Sequence, residues 1–422
     1  MARVLLSARG ARLAALPKPN FTSVYYANLN KLYDPVTCPA GIVNLAVAEN
    51  RLAAPLLEQR LRKAGFGLSS ESLAYNPYAG NDRLRRALAR LVSRHIARCS
   101  LRTENLVLTN GAGSALWVLA AVLADPGAGV LVPTPYYYAY DRDFCSLTDC
   151  RIVPVDGCGN EDPLAPAALS LAAERAAAEG IACRLLVVTS PNNPTGEVVS
   201  VQRLRGAIDW AEQHGVDVVV NELYACSPAP GHFDSVLSLY PDGAGGCALP
   251  EHVHFVWGLS KDFGANGLRC GCIYSNSRVL IETATKFLYF FQVGGTIQAQ
   301  LAQCLEDEAW VDEFLMESRQ RINAAIQSTT SALQDSGVPF VTPAGALFVW
   351  ADLRRWASVL GGEEALFQHL SSLSGGGVLL CPGSTFHAPD GWFRICVSTV
   401  PDRDLRVGLE RLVNSMRSLI PS

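Results

Sequence analysis

The chain has 422 residues, 35 basic and 39 acidic, and a formal net charge of −4, with 49% hydrophobic residues. It is long enough to bury cores in two or three domains, and disordered and collagen-like classes are excluded. No single-sign field favours nucleic acid or an anionic membrane. The longest apolar runs, such as Ala115 to Ala124, fall short of the ~20 residues that span a bilayer. A soluble, cytoplasmic protein is therefore expected, with neither nucleic acid nor membrane as a partner.

Arg3, Arg9, Arg12 and Lys18 precede the first acidic residue, Asp34, a faint presequence signal that Pro17 and Pro19 interrupt. Thirteen cysteines are scattered from Cys38 to Cys396 without a CxxC pair or a histidine at ligand spacing, so reduced core thiols are expected and no metal.

Short apolar runs bounded by Gly, Pro or Asn predict strands at Leu106 to Leu108, Val130 to Val132, Arg151 to Val155, Leu185 to Thr189, Val216 to Val220, Val253 to Trp257 and Cys270 to Tyr274. Helical spacing between them covers Ser114 to Ala124, Pro166 to Ala178 and Val201 to His214. This alternation predicts an α/β fold with a mostly parallel central sheet flanked by helices, its chemistry at the carboxyl ends of the strands. Gly243 to Gly246 reads as a surface loop.

From Glu306 a long helical pattern runs to Asp335. Strands at Ala346 to Leu353, Gly377 to Leu380 and Trp392 to Val397, with helices at Glu363 to Ser371 and Asp402 to Met416, then predict a smaller α+β domain. The expected division is an N-terminal segment over 1–44 packing with the small domain, a large domain over 45–305 and a small domain over 306–422.

Only five of the 35 basic residues are lysines. Lys261 follows an apolar strand directly into a turn, where desolvation lowers a lysine pKa and frees the amine for imine chemistry; a strand-end lysine reaching water is the alternative. Thr109-Asn-Gly-Ala-Gly-Ser114 joins a strand to a helix and aims backbone N–H groups at an anion, though such turns are common. Pro133-Thr-Pro-Tyr-Tyr-Tyr138 offers a ring face to a planar heterocycle, or a packed core. Ser190 to Gly196 and Asn221 to Tyr224 supply an amide and a phenol for a phenolate-like oxygen. Lys261 and Arg269 stand eight residues apart across a glycine-rich turn. Together these meet the needs of pyridoxal phosphate.

From about Gly41 to Arg411 the chain resembles the fold type I pyridoxal-phosphate enzymes, the aminotransferase class I/II superfamily, and within it the aminocyclopropane-carboxylate synthase branch. The resemblance rests on Asn44-Leu-Ala-Val-Ala-Glu-Asn50, Tyr78-Ala-Gly80, Leu123-Ala-Asp-Pro-Gly127, Val132-Pro-Thr-Pro-Tyr-Tyr137 and Asp141-Arg-Asp143. It continues through Asn193-Pro-Thr-Gly196, Ser260-Lys-Asp262, Pro382-Gly-Ser384, Phe386-His387 and Gly391-Trp-Phe-Arg394.

The resemblance implies that Lys261 carries the cofactor as an imine and then acts as base at the substrate Cα. Tyr137 would stack on the pyridine ring, with Tyr136 its nearest competitor. Asn193 and Tyr224 would bond the phenolic oxygen; Gly111, Ala112, Gly113, Ser114 and Arg269 would hold the phosphate. Tyr78 would cross from a neighbouring subunit, which implies a homodimer with shared active sites. Arg394 would clamp the substrate carboxylate, and Glu49 would oppose a sulfonium. The substrate implied is S-adenosylmethionine, losing its sulfonium from Cγ with ring closure or γ-replacement. An aminotransferase or a carbon–sulfur β-lyase is the alternative. A regulator built on this fold is remote, because only about forty residues precede the first motif, with no basic helix-turn-helix.

Two positions depart from the family pattern. Asn221 stands where an aspartate usually pairs with the protonated pyridine nitrogen, so a neutral amide replaces a charge and weakens carbanion stabilisation. Gly258 stands where a serine or threonine usually reaches the phosphate. A lost bond of that kind costs about 1.5–3 kcal/mol unless Ser114 or Thr296 compensates.

Overall fold

Strands made of unbroken apolar runs have no face for water and need helices on both sides. The computed structural model describes residues 6–16, 20–65, 68–157 and 162–420. In chain order its strands are β1 (Val43–Asn44), β2 (Leu106–Asn110), β3 (Gly129–Pro133), β4 (Arg151–Val155), β5 (Cys183–Thr189), β6 (Asp217–Asn221), β7 (Val253–Gly258) and β8 (Cys270–Tyr274). They continue with β9 (Phe340–Val341), β10 (Phe348–Asp352), β11 (Val378–Leu379), β12 (Cys381–Pro382) and β13 (Trp392–Cys396).

The seven runs expected from the sequence form one sheet of spatial order β2-β8-β7-β6-β5-β3-β4. The pairs from β4 to β7 are parallel, and β8 runs antiparallel to both β2 and β7. Alternate residues enter two apolar layers. Leu108, Leu186, Val218, Phe255 and Cys272 face one core, while Val107, Val187, Val219, Val256 and Ile273 face the other. The fold is therefore a mostly parallel α/β sheet sandwiched by helices, as the periodicity implied.

The helices Pro166–Ala178, Val201–His214 and Glu363–Ser371 have the expected limits. The helix expected at Ser114 begins instead at Ala112 and ends at Leu123, because Gly111 turns the chain at φ 78 and releases it into the helix two residues early. The long helix begins at Glu308, where Asp307 caps it by accepting a bond from the Trp310 N–H at 3.1 Å.

A smaller antiparallel sheet has the order β12-β13-β10-β9, and β1 pairs in parallel with β11. Phe21, Val43 and Leu45 share a core with Trp350, Leu379, Phe393 and Leu409. The helix Glu308–Asp335 joins the two bodies: Val311, Phe314 and Leu315 pack in the large core, Ala325 and Leu333 in the smaller one.

Of the N-terminal basic run, Arg3 and Lys18, with Pro17 and Pro19, lie outside the described residues. Arg9 and Arg12 stand on the helix Ala8–Ala15 and face Asp149. The cysteines among the described residues are free, and no described helix is long and apolar enough to cross a membrane.

Candidate active site

Parallel strands bring their last residues to one rim, and an antiparallel neighbour brings its first. Thr189, Asn221 and Gly258 end β5, β6 and β7, and Lys261 follows within one turn. Because β8 is antiparallel, Arg269, just before it, arrives at the same rim. The rim opens into a cavity of about 300 Å³. Among the expected residues, Glu49, Ala112, Gly113, Tyr137, Asn193, Asn221, Tyr224, Lys261, Arg269 and Arg394 line it.

One end of the cavity suits an anion. Gly111 precedes the helix Ala112–Leu123 with no side-chain cap, so the first-turn N–H groups are left for a ligand. Gly111 does not line the cavity; it lies under the Arg269 guanidinium, and a Cβ there would stand 2.4 Å from Arg269 Nη2. Arg269 Nη1 donates to the Asn266 carbonyl at 2.9 Å. Ser114 is not at the cavity, because its hydroxyl bonds back to the Asn110 carbonyl at 3.0 Å. Thr296 does not line it either, and Ser260 does.

The absence of a side chain at Gly258 has a packing cause. A Cβ there would lie 2.9 Å from the Cys270 carbonyl oxygen and 3.0 Å from Gly271 Cα, and one on Gly271 would lie 2.7 Å from the Gly111 carbonyl carbon. Three glycines thus stack backbone on backbone beneath the anion end. Gly258→Ser is expected to destabilise the fold by about 1–3 kcal/mol through overpacking. Urea unfolding measures this, and a variant as stable as the native chain would contradict it.

Lys261 Nζ donates to the Ala48 carbonyl at 2.6 Å. Burial pushes its amine down to about 8, helped by the nearby Arg394 and Arg269 guanidinium groups and opposed by Cys396 and Glu49. A neutral, nucleophilic amine is therefore accessible near neutral pH. Burial raises the Tyr224 phenol above its ordinary value, against the pull of Arg394. Tyr137 lines the cavity with its ring edge-on to Tyr140 at 5.4 Å. Tyr136 is turned away, stacked on His387 at 4.4 Å and bonded to Asp141 at 3.2 Å.

Arg394 is 1% exposed, between the rings of Phe348 and Phe386 at 4.4 and 4.8 Å. Its Nη1 donates to Asn193 Oδ1 at 2.7 Å and its Nη2 to the Ala46 carbonyl at 2.5 Å, while Nε is buried without a partner. Asn193 spends its oxygen on Arg394 and keeps its NH₂ for the cavity. Glu49 is held by Arg51 Nε at 3.0 Å and Asn266 Nδ2 at 3.0 Å, so its charge is already shared. Tyr78 lies outside this chain's own cavity, 46% exposed and edge-on to Tyr289 at 5.4 Å.

The cavity also holds residues to which the sequence assigned no role. Phe21 reaches it from the N-terminal region, and Tyr140, Arg142, Asp143 and Thr189 line it. Burial pushes the Asp143 carboxyl up to about 6 against the pull of Arg142 and Arg269. Tyr140 and Asp143 belong to the segment that begins with the tyrosine run, which was the available signal.

A mostly parallel α/β sheet with a desolvated lysine and an uncapped helix end on one rim is the architecture of the aminotransferases. An aspartate aminotransferase from Thermus thermophilus, a double mutant, superposes with a TM-score of 0.80 over 98% of this chain and 100% of that one, at 24% identity. An aromatic aminotransferase from Pyrococcus horikoshii gives 0.72 over 94% and 100%, also at 24%. The profile described as Aminotransferase class I and II matches residues 40–412, and the chain belongs to that family. It is an enzyme of the pyridoxal-phosphate-dependent kind.

Among curated relatives, a 1-aminocyclopropane-1-carboxylate synthase-like protein 1 from Takifugu rubripes is 33% identical over 90% of this chain, which spans 62% of that protein's length. The 1-aminocyclopropane-1-carboxylate synthase 6 of Oryza sativa is 32% identical over 96% of this chain and 78% of its own.

Proposed function

We propose that the cavity holds pyridoxal 5'-phosphate and acts on the α-amino acid S-adenosylmethionine, taking its Cα proton and releasing the sulfonium from Cγ, with ring closure or γ-replacement. The observation that carries the reading is the convergence of a lysine with a lowered pKa and a buried arginine that keeps an unpartnered Nε, both in one cavity. The residues fit the cofactor: an uncapped helix end and Arg269 suit its phosphate, Tyr137 its ring face, and Asn193 and Tyr224 its phenolic oxygen. When bound, pyridoxal phosphate supplies an aldehyde that condenses with amines and a ring that withdraws electrons.

Lys261 would hold that aldehyde and then, as a neutral amine, accept the proton at substrate Cα. Arg394 would clamp the α-carboxylate, its guanidinium plane already fixed by Asn193, Ala46 and two phenylalanine rings. Tyr78, with Tyr75 and Phe290 also exposed nearby in sequence to it and to Tyr289, would enter the site of a second copy, giving a homodimer. Cytoplasmic residence accords with the free thiols.

The synthase-like relatives favour S-adenosylmethionine. One observation favours an aminotransferase instead: Glu49, the residue expected to oppose a sulfonium, is already paired with Arg51. Incubating the purified protein with S-adenosylmethionine and identifying products by mass separates the readings. Methylthioadenosine supports the first. Inertness toward S-adenosylmethionine, with keto acid formed from another amino acid, supports the aminotransferase; pyruvate with ammonia indicates the β-lyase.

A neutral amide at 221 is a weaker partner for a ring cation than a carboxylate. Asn221→Asp is expected to raise Cα deuterium exchange and side transamination, because a carboxylate offsets the charge of the protonated ring that an amide only hydrogen-bonds. Comparing deuterium wash-in with one amino acid tests this, and equal or lower exchange in the variant would contradict it.

A further inference from the structure

Asn221 is 4% exposed, and its two polar ends have different fates. Nδ2 donates to the Tyr140 hydroxyl at 2.7 Å, and that hydroxyl lies 2.6 Å from Thr189 Oγ1. Oδ1 is buried with no hydrogen-bond partner. All three residues line the cavity. A buried carbonyl oxygen without a donor is costly, so a bound group that offers an N–H there is favoured over one that offers a lone pair.

An amide, unlike a carboxylate, exchanges an acceptor for a donor when it turns over. A carboxylate would accept from a ring N–H in either orientation, whereas an asparagine does so only if its neighbours hold it. Here a phenol does the holding. Tyr140 is fully buried, stacked near Tyr136 at 6.3 Å and edge-on to Tyr137 and Phe144 at 5.4 and 5.5 Å, so its hydroxyl stays in place. Burial pushes that phenol up to about 12, and it remains neutral through the physiological range. With its proton given to Thr189, its oxygen accepts from the amide.

We propose that Tyr140 and Thr189 are positioning residues that lock the Asn221 amide with its oxygen toward the cavity, so that this site takes the cofactor with a proton on its ring nitrogen. The amide thereby keeps the polarity of the family's aspartate without its charge. The proposal rests on the reading of the cavity as the cofactor site. The other titratable groups about the triad are Tyr137, Tyr224 and Asp143, the last able to bring a negative charge.

The test is the protein reconstituted with pyridoxal phosphate carrying ¹⁵N in its ring, the ring resonance followed against pH. The native protein is expected to show the pyridinium position at neutral pH. In Tyr140→Phe the amide is free to turn over, and the pH of half-protonation falls by about one to two pH units. Thr189→Val moves it the same way by less, and serves if the phenylalanine variant does not fold; Asp143→Asn leaves it close to native. A free-pyridine position in the native protein, no change in either triad variant, or an equal fall in Asp143→Asn overturns the proposal. Failure of the native protein to take up labelled cofactor on Lys261 is a different result: it overturns the reading of the cavity itself, and this proposal with it.

Discussion

Lys261→Ala is expected to remove the borohydride-reducible link to the cofactor and to lower turnover on the order of 10⁴-fold or more, since one amine serves as both nucleophile and base. The native protein should purify yellow and carry the reduced adduct at Lys261. The lowered pKa adds a pH signature. With its amine at about 8, imine formation by the cofactor-free protein should rise with pH and level off above that value, well before an ordinary lysine would. Mass analysis of the reduced protein decides the matter: an adduct that survives in Lys261→Ala, or one found on Lys286 or Lys63, would remove Lys261 from its role.

Arg394→Ala should raise the Michaelis constant for the amino acid on the order of 10²- to 10³-fold, the scale of losing one partner of a buried, hydrogen-bonded charge pair. A bidentate clamp contacts ground and transition states alike, so the loss should fall on binding more than on turnover. The same side chain also supports the fold, because truncation strands Asn193 Oδ1 and the Ala46 carbonyl and empties the space between Phe348 and Phe386. Arg394→Lys separates the two effects: it keeps the charge and most of the volume but not the planar fork, and should still raise the Michaelis constant. A folded Ala variant with an unchanged Michaelis constant would place the carboxylate site elsewhere.

The parts of this molecule that could be read beforehand are those in which a local pattern carries the physics. Most of the seven sheet strands are buried on both faces, so their apolar runs are nearly unbroken and their ends are marked by Gly, Pro and Asn; the edge strand β4 leaves Arg151 and Pro154 exposed. Lys261 stood out because lysine is scarce in this chain and follows a strand with no polar face. The start of the helix at Ala112 was missed because the positive φ of Gly111 is not encoded in hydrophobic spacing. The cause of Gly258 was equally hidden: it lies in the approach of β8, a strand away, and nothing between Val253 and Lys261 reports it. Thr189 read as the last residue of an apolar run, and Tyr140, two residues past the tyrosine run, drew no reading. Their shared hydrogen bond joins positions that only the sheet's stacking order brings together. Arg394 and Tyr78 were reached through family resemblance, since one is buried in a strand and the other stands on the surface.

The reversed direction of β8 makes chain length the tightly constrained quantity at this rim. Lys261 and Arg269 occupy the same edge because the chain leaves β7 and re-enters β8 without crossing the sheet. A parallel strand there would need a crossover of a dozen or more residues and would bring its far end to the rim. One residue inserted between Asp262 and Leu268 would shift the guanidinium relative to the amine while every side chain stayed the same. A similar insertion in the exposed loop at Gly243 to Gly245 would displace neither group. Length variation among homologous chains should therefore collect in that loop, and the stretch from lysine to arginine should keep its count.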